Sequence, residues 1–198
     1  EISACLVGSE MCIRDSSIRV YNEGDLDGTA TWVTDEMPTG LEYLENDSTN
    51  INNGWRAYKE ISSNEDGAIK IGEKYCKQVD FTSNEISFYA TQKLSGETIK
   101  AYTGTGEADY KEVYMVARVK AKSELATGIT YKLRNYAEIG DDNGEDEDST
   151  PGNDSKWKDE DDRDIEDLKL LEYKDIPVQK VWEDNNNQDG VRPEKIIL

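Results

Sequence analysis

The sequence predicts an all-β protein, a β-sandwich followed by an acid-rich linker and a fresh strand. Three observations carry that reading. Short segments alternate apolar and polar residues with period two, as strands covered on one face do. Gly, Asn and Asp clusters separate these segments at near-regular spacing, and no long helical pattern intervenes. Apolar residues make up only 35% of the 198 residues and charged residues 33%. Such a composition suits sheets whose outer faces are wet.

Ile18-Arg19-Val20-Tyr21 alternates, and Asn22-Glu23-Gly24-Asp25 and Asp27-Gly28 read as turns. Thr29 to Thr34 is rich in β-formers. Met37-Pro38-Thr39-Gly40 is a tight turn before a short strand, Leu41-Glu42-Tyr43-Leu44. Asn46 to Gly54 reads as a polar loop, and Trp55 to Ile61 returns to strand text. Ile69 to Phe81 is ambiguous between states, and Ile86 to Tyr89 is a weak strand. Val113 to Lys120 is the clearest strand, with Val113, Met115, Ala117 and Val119 as its core face. Ala121 to Gly128 has room for a helical turn.

Tyr131 to Ile139 reads as the closing strand of residues 17–140, taken as one domain. Its inward face carries Tyr131, Leu133, Asn135, Ala137 and Ile139. Asn135 is the polar exception. A buried amide without partners costs about 1–3 kcal/mol, so Asn135 must be hydrogen-bonded, exposed or chemically used.

After Ile139 the composition changes. Asp141 to Asp167 holds 14 Asp/Glu against 3 Lys/Arg, which is 11 of the chain's 20 net negative charges. The run cannot bury a core, so residues 141–175 read as a linker. Its oxygens also suit a hard cation. Asp141, Asn143, Glu145, Asp146 and Asp148 are the candidate Ca²⁺ ligands, weighed against a solvated spacer. No other cofactor is expected. A new strand begins at Ile176 and carries Lys180 in the same row as Val178 and Trp182.

The totals exclude several functions. A net charge of −20 leaves no basic patch for nucleic acid or anionic membrane. The chain has no histidine, which removes Ser-His-Asp and Cys-His catalysis and His-ligated zinc. Cys5, Cys12 and Cys76 have no metal spacing. A Cys–Gln thioester would have to use Cys76 and Gln92. No apolar run approaches the about 20 residues of a membrane span, and no signal peptide is evident. No enzymatic turnover is expected.

Three resemblances add to this reading. Ser3 to Ser16, S-A-C-L-V-G-S-E-M-C-I-R-D-S, shows no clear alternation and resembles translated sequencing-adapter text, so residues 1–16 are expected to be artefactual. I-R-V-Y-N-E-G-D-L-D-G from Ile18, T-D-E-M-P-T-G-L-E-Y from Thr34, N-Y-A-E-I from Asn135 and D-S-T-P-G-N from Asp148 resemble a conserved repeat of clostridial-type Gram-positive surface proteins. K-V-W-E-D-N-N-N-Q-D-G-V-R-P-E, Lys180 to Glu194, resembles the opening of the collagen-adhesin (Cna) B-type repeat. Residues 176–198 would then be a truncated B-type domain and the chain a fragment of a longer protein.

These resemblances imply immunoglobulin-like or prealbumin-like sandwiches strung into stalks on a Gram-positive cell wall. The partners would be neighbouring domains of the same protein, with the host or matrix ligand unknown. They also imply internal isopeptide bonds, in which a first-strand lysine joins a last-strand asparagine beside a buried acid. Asn135 fits the asparagine of the first domain and Asp35 the helper acid, with the lysine expected before Ile18. Lys180 fits the lysine of the second. The plainer reading is a hydrogen-bonded Asn135 and a Lys180 whose ammonium reaches solvent. The expected role is a structural spacer. A ligand- or carbohydrate-binding module, or an accessory domain of a secreted glycosidase, is the alternative.

Overall fold

A computed structural model of the chain describes residues 5–7, 13–144, 150–153, 160–168, 170–172 and 190–191. The strands in chain order are β1 (Cys5–Val7), β2 (Ile13–Asn22), β3 (Ala30–Glu36), β4 (Leu41–Tyr43), β5 (Arg56–Ile61) and β6 (Ile69–Ile71). They continue with β7 (Lys74–Val79), β8 (Phe88–Thr91), β9 (Asp109–Val119), β10 (Arg134–Asp142), β11 (Arg163–Asp167) and β12 (Leu170–Glu172). One short helix, α1 (Ser48–Asn53), lies between β4 and β5.

Two antiparallel sheets pack face to face, which makes this an all-β sandwich. The larger sheet has the order β11-β10-β3-β8-β5-β7-β6, and the smaller has β2-β9-β4. A separate parallel pair joins β1 to β12. The core between the sheets holds Val20, Val113 and Met115 from the small sheet. Ala30, Val33, Ala57 and Tyr89 face them from the large one, with Trp55 between. All four residues of the predicted β9 core face are buried. At one end Tyr43 of β4 stacks on Tyr89 of β8 with ring centroids 4.7 Å apart. That contact fixes which strands face each other across the sandwich.

The large sheet also buries part of its outer face. Tyr58, Ile71, Cys76, Phe88 and Ala90 form a second cluster there, with Trp32 against it. The sheet curls so far that the β6–β7 turn at Gly72 reaches β10 at Gly140. Lys74 and Glu138 meet across this closure at 3.3 Å with both side chains nearly buried. Gly72 has φ +54°, and an added Cβ would run into the carbonyl oxygens of Gly140 and Pro151. Only glycine fits such a backbone approach at positive φ.

Three segments differ from the sequence reading. Asn46 to Gly54 is not simply a polar loop. Asp47 caps α1 by accepting from the Thr49 N–H, and Gly54 ends it in the left-handed conformation. The buried amide of Asn50 then bridges to β9, donating to Leu44 and Val116 carbonyls and accepting from the Val116 N–H. Ile13 to Ser16, inside the irregular N-terminal text, continues β2 in unbroken register with β9. Backbone pairing needs no particular side chain, so weak alternation hid it.

The third difference lies in the run read as a linker. Within residues 141–175, Arg163–Asp167 is an edge strand of the large sheet, paired antiparallel with β10. Gly152 N–H donates to the Ile139 carbonyl at 3.0 Å, and Ile139 N–H to the Asp162 carbonyl at 2.8 Å. Those parts belong to the sandwich, not to a linker. Backbone bonds and alternate solvent-facing carboxylates make an edge strand possible without apolar text. The region of the expected B-type domain lies almost wholly outside the described residues.

Candidate functional site

The inward row of β3 runs from Val33 to Asp35, both 1% exposed. A carboxylate therefore sits where the alternation calls for an apolar side chain. Asp35 is held between two strands, in register with Tyr89 of β8 and with Ala137 of β10. Asn135 lies one pleat along β10 from Ala137, on the same face. Its Nδ2 donates to Asp35 Oδ2 at 2.6 Å. The two residues that the sequence singled out 100 positions apart are thus brought together. The inward orientation expected of Asn135 is what the strand gives it.

Each partner keeps an unused oxygen. Among the described residues, Asp35 Oδ1 and Asn135 Oδ1 are both buried without a hydrogen-bond partner. Orphaned buried acceptors are rare because each forfeits its hydration. Burial pushes the Asp35 carboxyl up to about 7, the Asn135 hydrogen bond works against that, and the neighbouring Glu36 charge adds to it. An isolated carboxylate in an apolar core neutralises rather than paying the desolvation cost. Asp35 is thus a buried acid that exchanges its proton near neutrality, with Oδ2 at the nitrogen of a carboxamide.

That arrangement suits acyl transfer at Asn135. The proton holder touches the nitrogen that would leave, and the amide carbonyl oxygen is free to accept a donor. What the pair lacks among the described residues is a nucleophile. Arg14 sits inward on β2, with Nε and Nη2 buried and without a hydrogen-bond partner among the described residues. A guanidinium does not deprotonate in a protein, so it cannot attack.

The other candidates are placed differently. Lys180 lies outside the described residues. So do Glu145, Asp146 and Asp148 of the calcium set. Of the remainder, Asn143 Oδ1 accepts from the Thr29 N–H at 2.7 Å, and Asp141 Oδ1 from the Asp142 N–H at 3.2 Å. Both oxygens accept from backbone N–H groups, one at the end of β10 and one ahead of β3. Among the described residues no three His, Cys, Asp or Glu side chains converge to hold a metal. Cys76 is buried in the outer cluster, where desolvation pushes its thiol up to about 11. A thiol so raised is a poor thioester former, and Gln92 lies in the turn after β8.

Two features escaped the sequence reading. One is a cleft of about 700 Å³ between β2 and β10, closed below by Asp161 to Asp164. It could not be foreseen while that run was read as a linker. The other is a row of exposed tyrosines, Tyr21, Tyr110 and Tyr114, on the outer face of the small sheet. Among the described residues no helix is long and apolar enough to cross a membrane. Comparison with protein families, with curated proteins and with solved structures finds no match in any of the three.

Proposed function

We propose that this chain is a non-enzymatic spacer module of a bacterial surface stalk, built to be locked by one covalent amide between Asn135 and a lysine amine. The observation that carries the reading is the buried Asp35–Asn135 pair with both spare oxygens unpartnered. A core that tolerates two unpartnered polar oxygens stores a cost that a third group would relieve. A primary amine is the group whose chemistry fits. Desolvation favours its neutral, nucleophilic form, and its N–H would serve an orphaned oxygen. The resemblance to surface repeats points to a Gram-positive cell wall and to a mechanical rather than catalytic role.

The chemistry is tested with a small amine. Incubation with methylamine at pH 7 is expected to replace the Asn135 nitrogen, adding one methylene to the intact mass at that residue. Asn135→Ala and Asp35→Ala should abolish the change. Modification spread over other amides, or none at Asn135, refutes the reading.

A second reading rests on the exposed tyrosines. Tyr21 and Tyr110 are adjacent, with ring centroids 5.1 Å apart, and a flat aromatic surface can stack on sugar rings. Here the Arg19 guanidinium already lies over the Tyr110 ring, and the Tyr114 hydroxyl donates to Glu112. That face is engaged by its own neighbours, which favours the spacer.

A further inference from the structure

A second hollow opens beside β4, at the opposite edge of the small sheet from β2. It measures about 900 Å³, within the about 300–1,000 Å³ of small-molecule sites. Its walls are the turn before β4, the segment between β4 and α1, and the loop between β7 and β8. Three near-parallel rings back it. Tyr43 stacks on Phe81 and on Tyr89, with centroids 4.8 and 4.7 Å away and planes within 24°. Tyr43 and Phe81 are only partly buried and line the hollow, so flat ring surface faces it. Tyr89 lines it as well and is only 8% exposed. Burial raises the Tyr43 and Tyr89 hydroxyls above the ordinary tyrosine value, so both stay protonated. Neither hydroxyl has a hydrogen-bond partner among the described residues. A buried tyrosine hydroxyl normally has one, and a ligand seated in the hollow would supply it.

The rim decides the chemistry of that ligand. Glu42, Glu45 and Asp47 stand against Lys120, which turns an anion away. An organic cation fits little better. Glu42 already pairs with Arg118, Asp47 caps α1, and the Lys120 charge offsets that of Glu45. The neutral groups left uncommitted are two amides and a hydroxyl. Asn46, Thr82 and Asn84 make no side-chain hydrogen bond among the described residues. Each of them both donates and accepts, as sugar hydroxyls do. A pyranose also carries a flat C–H face that packs on aromatic rings.

We propose that this hollow is a binding site for a neutral pyranose ring, stacked on Tyr43 and Phe81 and hydrogen-bonded by Asn46, Asn84 and the Tyr89 hydroxyl. The site adds recognition to a spacer and stands whether or not Asn135 is crosslinked. It is separate from the tyrosine row of β2 and β9, whose groups are engaged by Arg19 and Glu112. The ring is either a free sugar or one unit of a polysaccharide, and both present the same C–H face and hydroxyls.

The test titrates the full chain, followed by NMR, with the methyl glycosides of glucose, mannose, galactose and N-acetylglucosamine. Cellotetraose serves as the polymer arm and tetramethylammonium as the cation arm. The expected result is saturation transfer from the protein to the ring C–H protons of at least one sugar, with shifts at Tyr43, Phe81, Asn46 and Asn84. Asn84→Ala, at an exposed loop position, should weaken that binding about fivefold, the worth of one hydrogen bond, and leave the urea midpoint unchanged. Tyr21→Ala should leave the binding unchanged. Binding of single glycosides assigns a free sugar or chain end, and binding of cellotetraose alone with the same shifts assigns a polysaccharide. No transfer to any sugar at about 20 mM, well above a millimolar Kd, overturns the proposal. Sugar-induced shifts at Tyr21 and Tyr110 instead overturn it too, as do shifts at Tyr43 with tetramethylammonium alone.

Discussion

Replacing Asp35 by asparagine removes a titrating group from the core while keeping its size. In the folded chain Asp35 holds its proton up to about 7. An unfolded aspartate releases it near about 3.9. Below that value both states are protonated and Asp35 imposes no pH dependence. Between about 4 and about 7 the unfolded state ionises while the folded state does not, so stability falls as pH rises. Above the folded value the full penalty is present. At about 1.4 kcal/mol per pH unit, the gap amounts to about 4 kcal/mol. Urea unfolding from pH 4 to pH 8, followed by the fluorescence of the buried Trp55, measures it for both chains. Other carboxylates titrate in both proteins, so the difference between the two curves isolates Asp35. The Asp35→Asn chain should gain on the parent by about 4 kcal/mol across that range. A difference that stays flat with pH would refute the reasoning.

Other changes test the scaffold and the acidic run. Asn50→Ala deletes two hydrogen bonds of 2.8 Å that tie α1 to Val116 of β9 and one of 2.7 Å to the Leu44 carbonyl after β4. It should cost about 3 kcal/mol in urea unfolding, and a loss below about 0.5 kcal/mol would mean that solvent replaces them. Gly72→Ala forces a Cβ into the Gly140 and Pro151 carbonyls at positive φ. A cost of about 1–3 kcal/mol is expected, and an unchanged urea midpoint would show that the sheet does not close there. Adding Ca²⁺ should leave that midpoint where it is, because Asp141 and Asn143 already accept backbone hydrogen bonds. A Ca²⁺-dependent rise would restore the calcium reading of the run.

The period-two text exposed the sandwich because strands covered on one face write their burial into alternate residues. The β9 core face was legible for that reason. The Asp35–Asn135 contact was less so. Asn135 stood out as a lone amide in an apolar row, and the inward direction of Asp35 follows from Val33 two residues earlier. Their pairing across β3 and β10 depends on strand order, which no local pattern encodes, and it came from a resemblance instead. The helix at Ser48–Asn53 was hidden because its buried residues are asparagines, Asn50 and Asn53. They are satisfied by backbone groups, of Thr49 and Leu44 nearby and of Tyr114 and Val116 on β9, rather than by apolar neighbours. The strand Arg163–Asp167 was hidden for the converse reason, since four of its five residues are exposed and its order comes from backbone pairing to β10.

The central claim is that Asp35 is a buried acid poised at neutrality beside the Asn135 amide. The carboxyl ¹³C chemical shift of Asp35, followed from pH 3 to pH 9 in the folded chain, tests it most directly. The account predicts a single titration centred near 7 that moves in Asn135→Ala. A midpoint near the ordinary aspartate value of about 4 would mean a solvated carboxylate and would contradict it.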